Sequence, residues 1–253
     1  MLDELYDPVA NPYAPGAGTP PPALVGRDET ITTADVALRR LRAARASQHM
    51  LITGLRGVGK TVLLGKLASV AEHLGYRVIR VEALGGDDTI RSVLRQARRI
   101  VEEFDGGAKV GRALRSIESV SLTVAGTGVA IERQAPNADR EALTDVVTDL
   151  AEVAADEDLG VMIALDEAQT LDRHDLRRLL AGVHRCSQDG LPLYGLLAGL
   201  PNLVGEVAKA VTYAERMFTV ADLGPLTPDQ VVQAIVEPAR DIGVSWSAEA
   251  AER

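Results

Sequence analysis

Gly54-Leu55-Arg56-Gly57-Val58-Gly59-Lys60-Thr61 fills every fixed position of the pattern G-x-x-x-x-G-K-[ST]. The spacing has a chemical reason. A triphosphate carries several negative charges, and no single side chain can surround it. Gly54, Gly57 and Gly59 lack a Cβ, so the backbone through Leu55, Arg56 and Val58 can curl and turn successive N–H groups inward as an anion-binding nest. A helix that begins near Gly59, with Val62 in its first turn, adds the positive end of its dipole. Lys60 is then expected to reach the β- and γ-phosphates, and the Thr61 hydroxyl to ligate Mg²⁺.

The flanks suit this loop. His49-Met50-Leu51-Ile52-Thr53 is a short apolar run fit for a buried strand, and Leu63, Leu64, Leu67, Val70, Ala71 and Leu74 recur at helical spacing. Further strands are expected at 76–81, 160–165, 193–198 and 217–220. Helices are expected at 33–46, 89–103, 139–155, 174–187 and 202–211. Strands that are apolar throughout and alternate with helices imply a parallel sheet covered on both faces. The expected fold is therefore α/β, a three-layer α/β/α sandwich on a mostly parallel five-stranded sheet. One stretch departs from the pattern. Residues 119–124 and 128–132 alternate polar and apolar around Ala125-Gly126-Thr127, which predicts a β-hairpin insertion that decorates the surface or touches DNA or a partner.

Composition narrows the class. The chain has 253 residues, 46% hydrophobic and 25% charged, as in a globular protein. No apolar run approaches the roughly 20 residues that span a bilayer, so no membrane partner is expected. The single cysteine, Cys186, lacks ligand companions and reads as a half-buried helix residue in a reducing, cytoplasmic setting. The net charge of −9 argues against general polyanion binding. Arginines do cluster at Arg39, Arg40, Arg42 and Arg45, and again at Arg91, Arg95, Arg98 and Arg99. Such clusters serve either DNA phosphates or simply a solvated helix face.

Hydrolysis needs more than a loop: a metal partner and a group that orients water. Val161-Met162-Ile163-Ala164-Leu165-Asp166-Glu167 offers both, an apolar strand that ends in two carboxylates. Asp166 is expected in the Mg²⁺ shell, and Glu167 is expected to hold the attacking water in line. The bland alternative is that the pair caps the following segment. There is no N-K-x-D motif for reading guanine, so ATP is the expected nucleotide.

Several blocks together resemble the AAA+ superfamily, in the branch of origin-recognition and helicase-loader ATPases. They are similar also to bacterial transposition and secretion ATPases and to STAND signalling ATPases. The blocks are Leu24-Val25-Gly26-Arg27-Asp28-Glu29, the phosphate loop, Leu165-Asp166-Glu167-Ala168-Gln169 and Leu197-Ala198-Gly199-Leu200-Pro201-Asn202-Leu203. Tyr213-Ala214-Glu215-Arg216-Met217-Phe218 and Leu223-Gly224-Pro225-Leu226-Thr227 complete them. The resemblance implies that Val25, Gly26 and Arg27 pack against adenine. It implies that Asn202 senses the γ-phosphate or the water, and that Arg216 is an arginine finger completing the site of a neighbouring subunit. For Arg216 an ordinary surface ion pair stays open as the other reading.

Domain limits follow. Residues 1–23 read as a flexible Pro- and Gly-rich arm, 24–222 as the nucleotide-binding domain, and 223–253 as a partial helical lid that looks cut short. Three functions stay open: an ATP-driven switch or loader, a slowly hydrolysing signalling switch, and a module that binds nucleotide with little turnover. ATP, a homo-oligomer through Arg216, and DNA or a protein reached through a further module are the expected partners.

Overall fold

A computed structural model of the chain describes residues 11–13, 23–85, 87–124, 138–247 and 250. Five strands carry the fold: β1 (His49–Gly54), β2 (Tyr76–Glu82), β3 (Gly160–Asp166), β4 (Leu193–Gly199) and β5 (Phe218–Leu223). They pair in the order β2-β3-β4-β1-β5, and every pairing is parallel. All C-terminal strand ends therefore lie on one edge of the sheet.

The helices around them are α1 (Asp28–Arg42), α2 (Lys60–His73), α3 (Asp87–Glu102), α4 (Ala108–Val124), α5 (Ala138–Asp156), α6 (Arg173–Gln188), α7 (Leu203–Ala210), α8 (Ala214–Met217) and α9 (Pro228–Asp241). Alternation along the strands makes two cores. Met50 and Ile52 of β1 and Met162 and Ala164 of β3 join Leu38, Leu63 and Leu67 of α1 and α2. Leu51, Val161, Ile163 and Leu165 point the other way, into a larger core with Val93, Leu150, Leu179 and Val183. The sandwich is thus three-layered, as its unbroken apolar strands require.

The expected hairpin is corrected on its first strand. Residues 119–124 close helix α4, and the second run, 128–132, lies outside the described residues. Ala113, Ile117 and Val120 recur at helical spacing, and all three are buried in the larger core. The serines that mimicked a strand are satisfied within the helix: Ser121 Oγ donates to the Ile117 carbonyl at 2.8 Å. Helix α4 is fastened to α5 by Asp149, which accepts from Arg112 Nε at 2.7 Å and from Ser116 Oγ at 2.5 Å. Helix α1 begins at Asp28, earlier than the expected residue 33, with Asp28 and Glu29 in its first turn where they complement the helix dipole. Cys186 is fully buried rather than half-buried, and burial pushes its thiol up to about 12.

Helix α9 starts with a capping box: Thr227 accepts from Gln230 N, and the Gln230 side chain accepts from Thr227 N. Of the expected arm, residues 1–10 and 14–22 lie outside the described residues. Tyr13 touches the middle of α9 and the segment after it, donating to the Ile235 carbonyl at 2.5 Å and accepting from Trp246 Nε1 at 3.0 Å.

Candidate functional site

The phosphate loop leaves β1 at the C-terminal edge and enters α2 at Lys60. Gly57 and Gly59 take φ of +84° and +91°, which side-chained residues rarely adopt, and nothing lies within 4 Å of where their Cβ atoms would stand. At these two positions the loop backbone therefore borders open space. Lys60 is only 6% exposed, and its Nζ donates to the Gly54 carbonyl at 3.0 Å and to the Leu55 carbonyl at 2.8 Å. Leu55, Arg56 and Gly57 are exposed at the tip, while Val58, Gly59 and Val62 are half-buried.

Strand β3 brings the second half alongside. Thr61 Oγ1 donates to Asp166 Oδ2 at 2.5 Å, across 105 positions of sequence. Asp166 Oδ1 accepts from the Glu167 N–H at 2.9 Å, so both carboxylate oxygens are occupied. Glu167 sits at φ +49°, a left-handed backbone unusual for a residue with a side chain. Its carboxylate accepts from Gln169 Nε2 at 2.5 Å, and Gln169 Oε1 in turn accepts from Leu200 N at 3.1 Å. A side-chain amide thus ties the end of β3 to the segment after β4. Gly199 makes room for it: a Cβ there would stand 2.2 Å from Gln169 Oε1.

The family model described as AAA ATPase domain matches residues 23–197, a span that takes in the loop, Asp166 and Glu167. The chain belongs to this family. Among solved structures, Cdc6p from Pyrobaculum aerophilum shares its fold with a TM-score of 0.57 and 17% identity, over 89% of this chain and 52% of that one. The Aeropyrum pernix ORC2 protein in its ADP form gives 0.56 and 22%, over 89% and 55%. Replication initiator DnaA bound to AMPPCP and single-stranded DNA gives 0.51 and 15%, over 91% and 56%. This AAA ATPase chain spans about half the length of those proteins, and at such identities the likeness is one of fold. No curated protein matches the sequence significantly.

The other sequence candidates fall in three places. Val25 is buried, and Arg27 Nη2 donates to the Val58 carbonyl at 3.2 Å and the Gly224 carbonyl at 2.9 Å. Gly26 packs under Gln230 of α9, where a Cβ would come within 2.4 Å of Nε2. This block therefore lies between the loop and helix α9. Asn202 is the exposed residue that precedes α7, three positions beyond β4, whose register sets Thr53 opposite Gly199. It leaves the sheet between β1 and β3, at the edge that carries the loop. Arg216 is elsewhere. It is exposed on α8, just before β5, at the His49 end of the sheet. A strand length of about 20 Å separates that end from the loop. Its carbonyl accepts from Gln48 Nε2 at 3.1 Å.

Two residues of this edge were not singled out from sequence. Gln169 had a weak signal, a side-chain amide two positions beyond Glu167. Asp222, which accepts from Thr53 Oγ1 at 3.0 Å, had none, because only the β1–β5 register brings the two together. The arginine clusters are largely partnered: Arg39 pairs with Asp35 at 2.8 Å, and Arg98 with Glu102 at 2.7 Å. No described helix is long and apolar enough to cross a membrane.

Proposed function

We propose that this domain binds ATP with Mg²⁺ and hydrolyses it to drive a conformational or assembly switch, in association with DNA or as a regulatory ATPase. The observation that carries the reading is the contact of Thr61 with Asp166, beside the open nest of Gly57 and Gly59. A hydroxyl and a carboxylate oxygen held together are the donor types that Mg²⁺ takes. Thr61 and Asp166 would hold the ion, whose charge offsets that building on the phosphoryl oxygens.

The chain's own groups supply the rest. Lys60 exchanges the Gly54 and Leu55 carbonyls for phosphate oxygens. Glu167 orients the water, and Gln169 orients Glu167. Asn202 sits where it can report the γ-phosphate to α7. Arg27, Gly26 and Val25 link the loop to the lid, so closure of α9 over adenine is coupled to what the loop holds.

Arg216 cannot serve the loop of its own copy from the opposite edge, which favours slow turnover in isolated subunits and faster turnover in an assembly. The DNA bound by the DnaA structure supports nucleic acid as a partner class, and a signalling switch uses the same engine. Phosphate release and nucleotide binding test the reading together. Lys60→Ala is expected to lose ATP binding, and Glu167→Gln to keep it while turnover falls about tenfold or more. Wild-type affinity in the first variant, or wild-type turnover in the second, removes that residue from its role.

A further inference from the structure

A cavity of about 470 Å³ opens between α5, α6 and the segment after α7, and none of its walls belongs to the phosphate loop or to residues 166–169. Arg177, Arg178 and Arg185 line it from α6, the third about two turns beyond the adjacent first two, and Lys209 lines it from α7. Among the described residues, Asp145 is the only carboxylate in the wall. Four cations converge here in a chain whose net charge is −9.

Neighbouring carboxylates answer three of them in part. Arg178 Nη1 is 3.6 Å from Asp175, Arg185 Nε is 3.6 Å from Asp189, and Lys209 Nζ is 2.9 Å from Glu206. Arg177 makes no ion pair with a described carboxylate. Arg178 is the stronger pointer. Its side chain is only 10% exposed, yet its buried Nε has no hydrogen-bond partner. Buried guanidinium donors are nearly always satisfied, so an unmet one shows that the fold leaves this wall short of acceptors for its cations. The rest of the wall mixes polar Thr144, His174 and Thr212 with apolar Ala181, Ala210 and Val211. Tyr213 lines it and stacks on His184 with ring centroids 4.0 Å apart.

We infer that this cavity is a binding site for a small organic phosphate of nucleotide size, separate from the phosphate loop. The volume is that of a small-molecule pocket. Planar guanidinium groups fit phosphate oxygens in pairs, and the tyrosine ring gives an organic body a surface to lie on.

The test is a titration of the full chain with pyrophosphate and with AMP, followed by amide chemical shifts. Shifts are expected at 177–185 and 209–213, apart from any at 57–61. Arg177→Ala is expected to weaken this binding about tenfold. Arg178→Met keeps the buried stem and is expected to abolish the shifts at 209–213; because it also leaves Asp175 unpaired, the melting temperature of the free variant is measured beside it, and Arg177→Ala decides the outcome if that variant unfolds. Saturable shifts confined to the loop overturn the inference, as does binding that both variants leave unchanged. A ten-nucleotide oligothymidylate is the third probe. Shifts at 209–213 with the oligonucleotide alone, and not with AMP or pyrophosphate, reassign the cavity to nucleic acid and also overturn it.

Discussion

Replacing Gly199 by alanine should disable the site without touching the phosphate loop. The new Cβ would stand 2.2 Å from Gln169 Oε1 and 3.0 Å from Leu203 Cδ2. Gln169 is the flexible partner, so it gives way. It then loses its bond from Leu200 N and its bond to the Glu167 carboxylate. The first is an ordinary backbone bond worth about 1 kcal/mol. The second involves a charge but is half-buried, so about 1 kcal/mol is the fitting figure for it as well. Gly199→Ala should therefore cost about 2 kcal/mol, which lowers the melting temperature by about 4–8 °C in a domain of this size. Gln169→Ala breaks the same two bonds and should cost about as much.

The double variant is decisive, because the two substitutions act on one contact. Its loss should be close to either single loss, with a coupling of about 2 kcal/mol rather than additivity. Thermal unfolding of the four proteins gives the cycle, and ATP turnover read alongside should fall about tenfold in all three variants as Glu167 loses its orientation. Additive losses, or wild-type turnover in Gln169→Ala, would refute the role given to this amide.

Arg27→Ala removes the bonds to Val58 and Gly224 and should cost about 1–2 kcal/mol while weakening ATP binding more than the melting shift explains, as calorimetry on the full chain can show. Buried His49 accepts from Gly195 N at 3.1 Å and bonds Ser187 Oγ through Nε2 at 2.9 Å; burial, then His184, lowers its pKa to about 4. Stability from the neutral ring is complete above the unfolded value of 6.5 and drains as pH falls through about 4, by about 3 kcal/mol in all. His49→Gln should flatten the melting profile between those two pH values, and an unchanged slope would count against the ring. Arg216→Ala should leave ATP binding intact but remove any rise of specific turnover with protein concentration. Native Cys186 should resist a thiol reagent until the protein unfolds, since a buried thiol pushed up to about 12 offers little thiolate.

Much of this was legible because the signals are local. The glycine spacing at 54–59 is a backbone requirement, and β1, β3 and β4 are apolar throughout because helices cover both faces. The misreading at 119–124 has an equally local cause. Val120, Leu122 and Val124 alternate with hydroxyl residues, and period two there outweighed the helical recurrence of Ala113, Ile117 and Val120. Only packing against the larger core chose between the periods. The ties that finish the nucleotide edge, Gln169 to Leu200 and Thr53 to Asp222, join residues 31 and 169 positions apart, and no pattern along the chain announces them.

A parallel sheet has a polarity, and here it puts the phosphate loop at one pole and Arg216 at the other. Contact between those poles is possible only when copies stack head to tail, which is a heterologous arrangement. An open stack always carries one unfinished pole at each end, so its mean capacity per subunit grows with length and becomes uniform only when the stack closes on itself. The direction in which these strands run thus bears on whether a ring outperforms a chain of the same copies.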